Sequence, residues 1–338
     1  MAQLSDYTSL RVGGPATNFV EAGTDSEIIA AIEAAEDQPI LIMGGGTNLL
    51  ISDKGFEGTV IHVTNQALKA EVDACSGATL TIGAGENWDE LVATTLERGW
   101  AGLETLSGIP GSVGAAPIQN IGAYGHEVSE FITRVRTYDR QAKAVKTFTN
   151  GECNFGYRDS IFKQQAGRYI VLDVQFQLRR GEITTPILYA ELAKKLGVEV
   201  GEKAPVAATR KAVLELRAGK GMLLNSSDRD TWSAGSFFTN PIISKEAADK
   251  LPAEAPRWPM SDGRVKTSAA WLIQNSGIEK GLTHGGAGVS TKHVLALTNA
   301  DGATASEIAE LAKSVQAKVR EVFGITLEPE VNLVGISL

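Results

Sequence analysis

The sequence predicts a protein of mixed class, α+β or α/β, and two observations carry that expectation. Segments with a helical apolar period alternate with short apolar or period-two segments through most of the chain. Glycine clusters follow several of the strand-like segments, where loops of layered folds receive ligands. The 338 residues, 43% of them hydrophobic, suffice for two or three packed units.

Taken in order, residues 23–38 read as a helix, with a capping box of Thr24 and Glu27 and an apolar face of Ile28, Ile29 and Ile32. Residues 39–43, PILIM, make a short buried strand that runs into GGGTN. Strands are expected at 58–63 and 79–83, then a helix over 87–99 closed by Gly99. After a long glycine loop come strands near 131–139 and 168–178. In the second, Val174, Phe176 and Leu178 alternate with Asp173, Gln175 and Gln177, the pattern of a half-exposed strand. Residues 179–186 suit a hinge or surface loop, and helices are expected near 187–196, 206–219 and 266–276. A capping box of Thr304 and Glu307 opens the last helix, which carries Ile308, Leu311, Val315 and Val319 as one stripe and stops at Gly324. Residues 325–338 close the chain as a strand.

Composition excludes several functions. The net charge is −8 with no basic stripe, which argues against nucleic acid while leaving a small anionic ligand open. Cys75 and Cys153 match no metal spacing and suggest no disulfide framework. His62, His126, His284 and His293 are scattered, so no metal site is expected. An apolar leader and a segment long enough to span a bilayer are both lacking, which leads to a cytoplasmic protein without a membrane partner. No exposed heptad demands a partner, so a monomer is expected.

Five short motifs attract chemistry, each with a plainer reading beside it. MGGGTN (43–48) can present several backbone N–H groups to a diphosphate, yet it is neither a P-loop nor a dinucleotide fingerprint. GIPGSVGAAPIQNIGAYG (108–125) packs five glycines into eighteen positions, for close approach to a ligand or for tight turns. GYRDSIFK (156–163) holds Arg158, a ligand-facing cation or a surface partner of Asp159. In AGSFFTNP (234–241), Ser236 is a hydroxyl in an apolar, desolvated setting or a turn serine. LEPEV (327–331) sends Glu328 and Glu330 to one strand face, opposite Leu327, Pro329 and Val331.

Together, in this order and at these separations, the five motifs resemble the UDP-N-acetylenolpyruvoylglucosamine reductase (MurB) family, from about Leu10 to the C-terminus. The resemblance implies an α+β fold: an FAD-binding domain of the vanillyl-alcohol-oxidase (PCMH) type in two subdomains, plus a C-terminal α+β substrate-binding domain. It places subdomain 1 at 1–66 with the strand 325–338 returning to it, subdomain 2 at 67–218, and the substrate domain at 219–324.

It implies non-covalent FAD, because no histidine stands in the first glycine loop where oxidases of this fold tether flavin. Gly44, Gly45, Gly46, Thr47 and Asn48 would contact the cofactor, with Ser112, Gly114, Ala115, Ile118, Gln119 and Gly122. NADPH would supply hydride, carried to C3 of the enolpyruvyl ether of UDP-N-acetylglucosamine. Arg158 would polarise the substrate carboxylate, Glu330 would hydrogen-bond it, and Ser236 would protonate C2. Tyr189, Lys220 and Asn240 match positions that bind the nucleotide sugar, while Thr239 stands where relatives often carry lysine. The alternatives are an oxygen-using flavoenzyme of the same fold, or a non-catalytic flavin-binding relative. The missing tether and AGSFFTNP weigh against the first; the presence of Arg158, Ser236 and Glu330 weighs against the second.

Overall fold

The computed structural model describes residues 1–35, 38–73 and 77–338. Cys75 and residues 36–37 of the first expected helix lie outside the described residues. Among the described residues the α-helices are α1 (Asp25–Ala34), α2 (Trp88–Glu97), α3 (Ile161–Gln164), α4 (Ala190–Leu196), α5 (Val206–Gly219), α6 (Lys245–Asp249), α7 (Ala269–Asn275) and α8 (Ala305–Phe323). None is long and apolar enough to cross a membrane.

The chain divides into two compact units. The first comprises Ala16–Gly45 and Glu57–Leu223, with Met1; the second comprises Ala2–Pro15, Gly46–Phe56 and Leu224–Leu338.

The first unit contains a small sheet in the order Ala16–Ala22, Phe56–Val63, Ile40–Met43, in which Ile40–Met43 runs parallel to its neighbour. Its larger sheet has Tyr169–Arg180 at the centre. Ile132–Asp139 and then Ala144–Thr149 lie to one side, Gly77–Gly83 and then Leu68–Asp73 to the other, with Trp100–Ala101 at one end of the central strand. Val174, Phe176 and Leu178 are buried while Asp173, Gln175 and Gln177 are half-exposed, as their alternation predicts. These side chains share a core with Trp88, Leu91 and Val92 of α2 and with Ile28 and Ile32 of α1. Cys153 is in the same core, and burial pushes its thiol up to about 12. A smaller apolar cluster, Ile187, Leu192, Ala193, Ala212 and Val213, joins α4 to α5.

The second unit is built from three small sheets and the apolar faces of the long α8 and the short α7. Val265–Thr267 pairs with Ile242–Ile243 and Arg257–Pro259; Ala287–Val289 pairs with Thr283–His284 and Leu297–Asn299; Asn332–Val334 runs parallel to Leu49–Ile51. Ile308, Leu311, Val315 and Val319 of α8 are buried with Leu272 and Ile273 of α7, Phe237, Phe238, Leu10, Val12 and Leu50. Thr304 and Glu307 form the expected capping box, and Gly324 ends α8 in the left-handed region at φ 68°.

Several elements differ from the sequence expectation. At α1, Thr24 accepts from Glu27 N–H, but the Glu27 carboxylate takes the N–H of Gly23 rather than that of the cap. Leu68–Asp73 and Ala144–Thr149 were not expected; both are exposed edge strands, so neither needs an apolar alternation. Helix α4 starts at Ala190 rather than 187, because Ile187 is fully buried in extended chain after Pro186. Helix α7 starts at Ala269, since Val265–Thr267 is a strand and Ser268 caps the helix. The C-terminal ladder is confined to Asn332–Val334, although Leu327 and Val331 are buried and Glu328 exposed as the alternation requires.

Candidate active site

Strand Ile40–Met43 ends in the triple glycine, and contact with a second glycine-rich segment explains two of the three. A Cβ on Gly44 would fall 2.1 Å from Ser112 Oγ, and one on Gly45 would fall 3.0 Å from Gly111 Cα. Gly46 has φ 62°, and a Cβ there would meet the Tyr7 carbonyl oxygen at 1.8 Å. The N–H groups of Gly44, Gly45 and Gly46 donate to no acceptor among the described residues. They supply the row of bare amides that a diphosphate requires. Asn48 is used differently: its carboxamide donates to the Glu330 carbonyl at 3.1 Å, and its own carbonyl accepts from Asn332 N–H at 3.0 Å.

The segment 108–125 is fastened at its start, middle and end. At its start, Gly108 N–H donates to Asp89 at 2.6 Å, and Gly108 C=O accepts from the guanidinium of Arg217 at 3.1 Å. Burial would raise Asp89, but its hydrogen bonds from Arg210 and Gly108 hold it below the usual carboxylate range. Burial lowers the Arg217 guanidinium. In the middle, Val113 and Gly114 donate to Glu86 and Ala84, and a Cβ on Gly114 would lie 2.5 Å from that of Ala84. Ser112 is buried, whereas Ala115 and Ile118 are exposed and Gln119 half-buried. Exposed apolar side chains beside bare amides fit the flat rings and phosphates of a dinucleotide such as FAD.

At its end lies a hairpin, Gly122–Ala123 against His126–Glu127, with Tyr124 and Gly125 at φ 52° and 89°. Buried Asn120 braces it, donating to Glu127 at 2.7 Å and to Gly156 C=O at 3.1 Å while accepting from Ser129 N–H. Arg158 sits at the tip of a two-residue turn whose flanks, Gly156 and Asp159, exchange both backbone hydrogen bonds. Its φ is 53°, and its Nη2 donates to the Gly122 carbonyl at 3.0 Å. The arginine is thus tied to the glycine segment, while the Asp159 carboxylate accepts from Ser160 N–H and Gln164.

Tyr189 is the N-cap residue of α4, 45% exposed, with its ring edge-on to Tyr124 at 5.6 Å. Burial pushes the Tyr124 hydroxyl up to about 12. Lys220, at the end of α5, places Nζ 2.5 Å from Glu191 of α4, so Tyr189 and Lys220 meet at one end of this helix pair. Sequence reasoning missed Asn120, Tyr124 and Arg217. A signal existed for the first two, since Asn and a residue before Gly are the kinds that enter left-handed turns.

In the second unit, residues 237–239 pair with 328–330: Glu330 N–H donates to Phe237 C=O at 2.8 Å, and Thr239 N–H to Glu328 C=O at 3.0 Å. This ladder brings the backbone of Ser236 and Glu330 to one edge. The rings of Phe237 and Phe238 are fully buried, but Ser236 is half-exposed. The expected apolar enclosure of the hydroxyl is corrected accordingly: Ser236 reaches solvent while both phenylalanine rings enter the core. Asn240 commits its side-chain oxygen to Ala269 N–H at 3.0 Å, capping α7. Arg158 belongs to the first unit; Ser236, Asn240 and Glu330 belong to the second.

Arg158 and the bare amides of Gly44 and Gly45, all in the first unit, suit an anionic ligand. Comparison with known proteins agrees. An FAD binding domain model matches residues 16–147, and the model of the C-terminal domain of UDP-N-acetylenolpyruvoylglucosamine reductase matches residues 227–334. A reductase of that name from Cutibacterium acnes is 51% identical over 340 residues, covering 99% of this chain and 90% of the relative. One from Streptomyces coelicolor is 49% identical, covering 100% and 90%. The crystal structure of the enzyme from Thermus caldophilus superposes with a TM-score of 0.68 at 26% identity, covering 98% of this chain and 97% of that one. The FAD-binding part is of the PCMH type within an α+β chain, and the protein belongs to the UDP-N-acetylenolpyruvoylglucosamine reductase (MurB) family.

Proposed function

We infer that the protein is an FAD-containing, NADPH-dependent oxidoreductase that reduces UDP-N-acetylglucosamine enolpyruvate to UDP-N-acetylmuramate in peptidoglycan precursor synthesis. The observation that carries this reading is the whole-length likeness to reductases of that name, with both domain models matched in one chain. Bound FAD supplies the hydride relay from NADPH to the substrate. Gly44, Gly45, Gly46, Thr47 and Asn48 hold it together with Ser112, Gly114, Ala115, Ile118, Gln119 and Gly122, without a covalent tether, since residues 43–48 include no histidine.

The side chains then divide the work on the substrate. Hydride arrives at C3 of the enolpyruvyl group, and negative charge develops at C2 and its carboxylate. The Arg158 guanidinium, held by the Gly122 carbonyl, binds that carboxylate and stabilises the charge. Glu330 hydrogen-bonds the same group. Ser236 gives its hydroxyl proton to C2, completing addition of one hydride and one proton across the double bond; an enolate is basic enough to take a proton from so weak an acid. Tyr189, Lys220 and Asn240 bind the nucleotide sugar, with Thr239 next to Asn240 in sequence. The chain works as a cytoplasmic monomer, with flavin subdomains at 1–66 (joined by 325–338) and 67–218, and a substrate domain at 219–324.

The test is an anaerobic pair of half-reactions. NADPH should bleach the flavin absorbance, and the enolpyruvyl nucleotide should restore it without oxygen. Restoration by oxygen alone would make the protein an oxidase, and failure to bind FAD would remove the reading altogether.

A further inference from the structure

His126 is 4% exposed and lies on the hairpin that ends the glycine segment. Its Nδ1 is 2.8 Å from Glu130 Oε2, and its Nε2 is 3.0 Å from the Pro186 carbonyl oxygen. A carbonyl can only accept. Glu130 takes the Glu127 N–H on its other oxygen at 2.8 Å. The Nε2–H therefore donates to Pro186, and the ring links that carbonyl to Glu130.

Besides the contacts of His126, two others join this hairpin to the chain before α4. Leu188 packs on Gly125 so tightly that a Cβ there would lie 2.7 Å from Leu188 Cβ, and Tyr189 meets Tyr124 edge-on. We propose that the His126 side chain is a positioning residue: it clamps residues 185–189 to the end of the flavin-side glycine segment and so sets Tyr189 for the nucleotide sugar. The proposal rests on the substrate-binding role given to Tyr189 above.

Charged and polar groups on the neighbouring elements surround the clamp. Glu130 faces the ring, and Glu127 beside it is held by Asn120. The short turn Glu104–Leu106 packs against the hairpin and contributes buried Glu104, which accepts from Gly102 N–H. Arg158 is bonded to Gly122, and Tyr124 lies within the electrostatic reach of Arg217 and Glu191. The Thr185 hydroxyl, 3.4 Å from the same Nε2, adds a second contact to the ring, so removing the imidazole takes away both of its links to residues 185 and 186.

The test combines hydrogen exchange with kinetics on the FAD-loaded enzyme. His126→Ala should speed amide exchange across 185–189 and raise KM for the UDP-sugar roughly tenfold, the effect of losing a buried hydrogen bond. The KM for NADPH should not move. In His126→Gln, which keeps an N–H for Pro186, the KM for the UDP-sugar should be intermediate. Unchanged exchange in the alanine variant overturns the clamp. Faster exchange with an unchanged KM overturns the positioning role if Tyr189→Ala does raise KM. If Tyr189→Ala leaves KM unchanged, the assignment of Tyr189 fails and the positioning role with it, while the exchange rates still decide whether the clamp exists.

Discussion

Arg158 shows how a site can be stored in the conformation of a single residue. A non-glycine residue at φ 53° is strained by about 1 kcal/mol or more, and the turn from Gly156 to Asp159 holds it there. Arg158→Gly and Arg158→Ala should both abolish turnover, but the glycine variant should be the more stable by about 1 kcal/mol in urea unfolding, because only it adopts the turn without strain. Equal stability would mean the turn relaxes. Ser236 tests the chemistry directly. Ser236→Ala should leave flavin reduction by NADPH intact and slow reoxidation by the enolpyruvyl substrate about 10²-fold or more, and Ser236→Cys should recover part of that rate. Equal slowing of both half-reactions would deny Ser236 the proton. Arg158 and Ser236 were picked out only by the joint resemblance of five motifs, because GYRD and GSFF alone read equally well as a surface pair and a turn. The exposure of Ser236 was not legible, because both phenylalanines turn to the core and local sequence cannot show which way each side chain faces.

At the scale of elements, the strongly periodic segments were legible and the edges were not. Helix α8 runs as its stripe and caps dictate and α5 fills the expected 206–219, while Leu68–Asp73 and Ala144–Thr149 lie almost wholly in solvent and carry no apolar alternation to read. The start of α4 escaped because burial of Ile187 outweighs the helical propensity of the residues around it. Contact between the two glycine segments gives a prediction at this scale. Gly44→Ala forces a Cβ to 2.1 Å from Ser112 Oγ and should lower both thermal stability and the flavin retained on purification. Adding Ser112→Ala removes that oxygen and leaves Cβ to Cβ at 3.2 Å, so the double variant should regain part of both losses. A double variant worse than Gly44→Ala would show that Ser112 itself binds the cofactor more strongly than the steric conflict costs.

Acid stability belongs to the whole molecule, and the larger sheet supplies one sharp contribution to it. Arg168 grips Asp139 through Nε and Nη2 at 3.1 and 2.9 Å. That hydrogen bond, helped by the N–H groups of Ala142 and Gln141, holds the carboxyl at about 2, below its ordinary 3.8. A depressed carboxylate stabilises the fold above its unfolded value, and the benefit disappears as pH falls through the folded one. Unfolding free energy should therefore decline between about pH 4 and 2, and Asp139→Asn should be less stable at pH 6 with a flatter decline in that window. A variant that tracks the wild type through the window would assign the acid sensitivity elsewhere.

The composition of the second unit has a consequence in time. Its core needs Leu10, Val12 and Leu50 from the start of the chain as well as α8 and Asn332–Val334 from the end. During synthesis the first unit has all its residues once Leu223 is made, but residues 46–56 must wait for the 282 residues that follow Phe56. At ~5–20 residues per second that wait is about 15–55 s, with an apolar strand exposed on a nascent chain. Chains stalled near residue 300 should resist protease across 57–223 and remain cleavable at 46–56; protection of both would mean that the second unit assembles before its last strand exists.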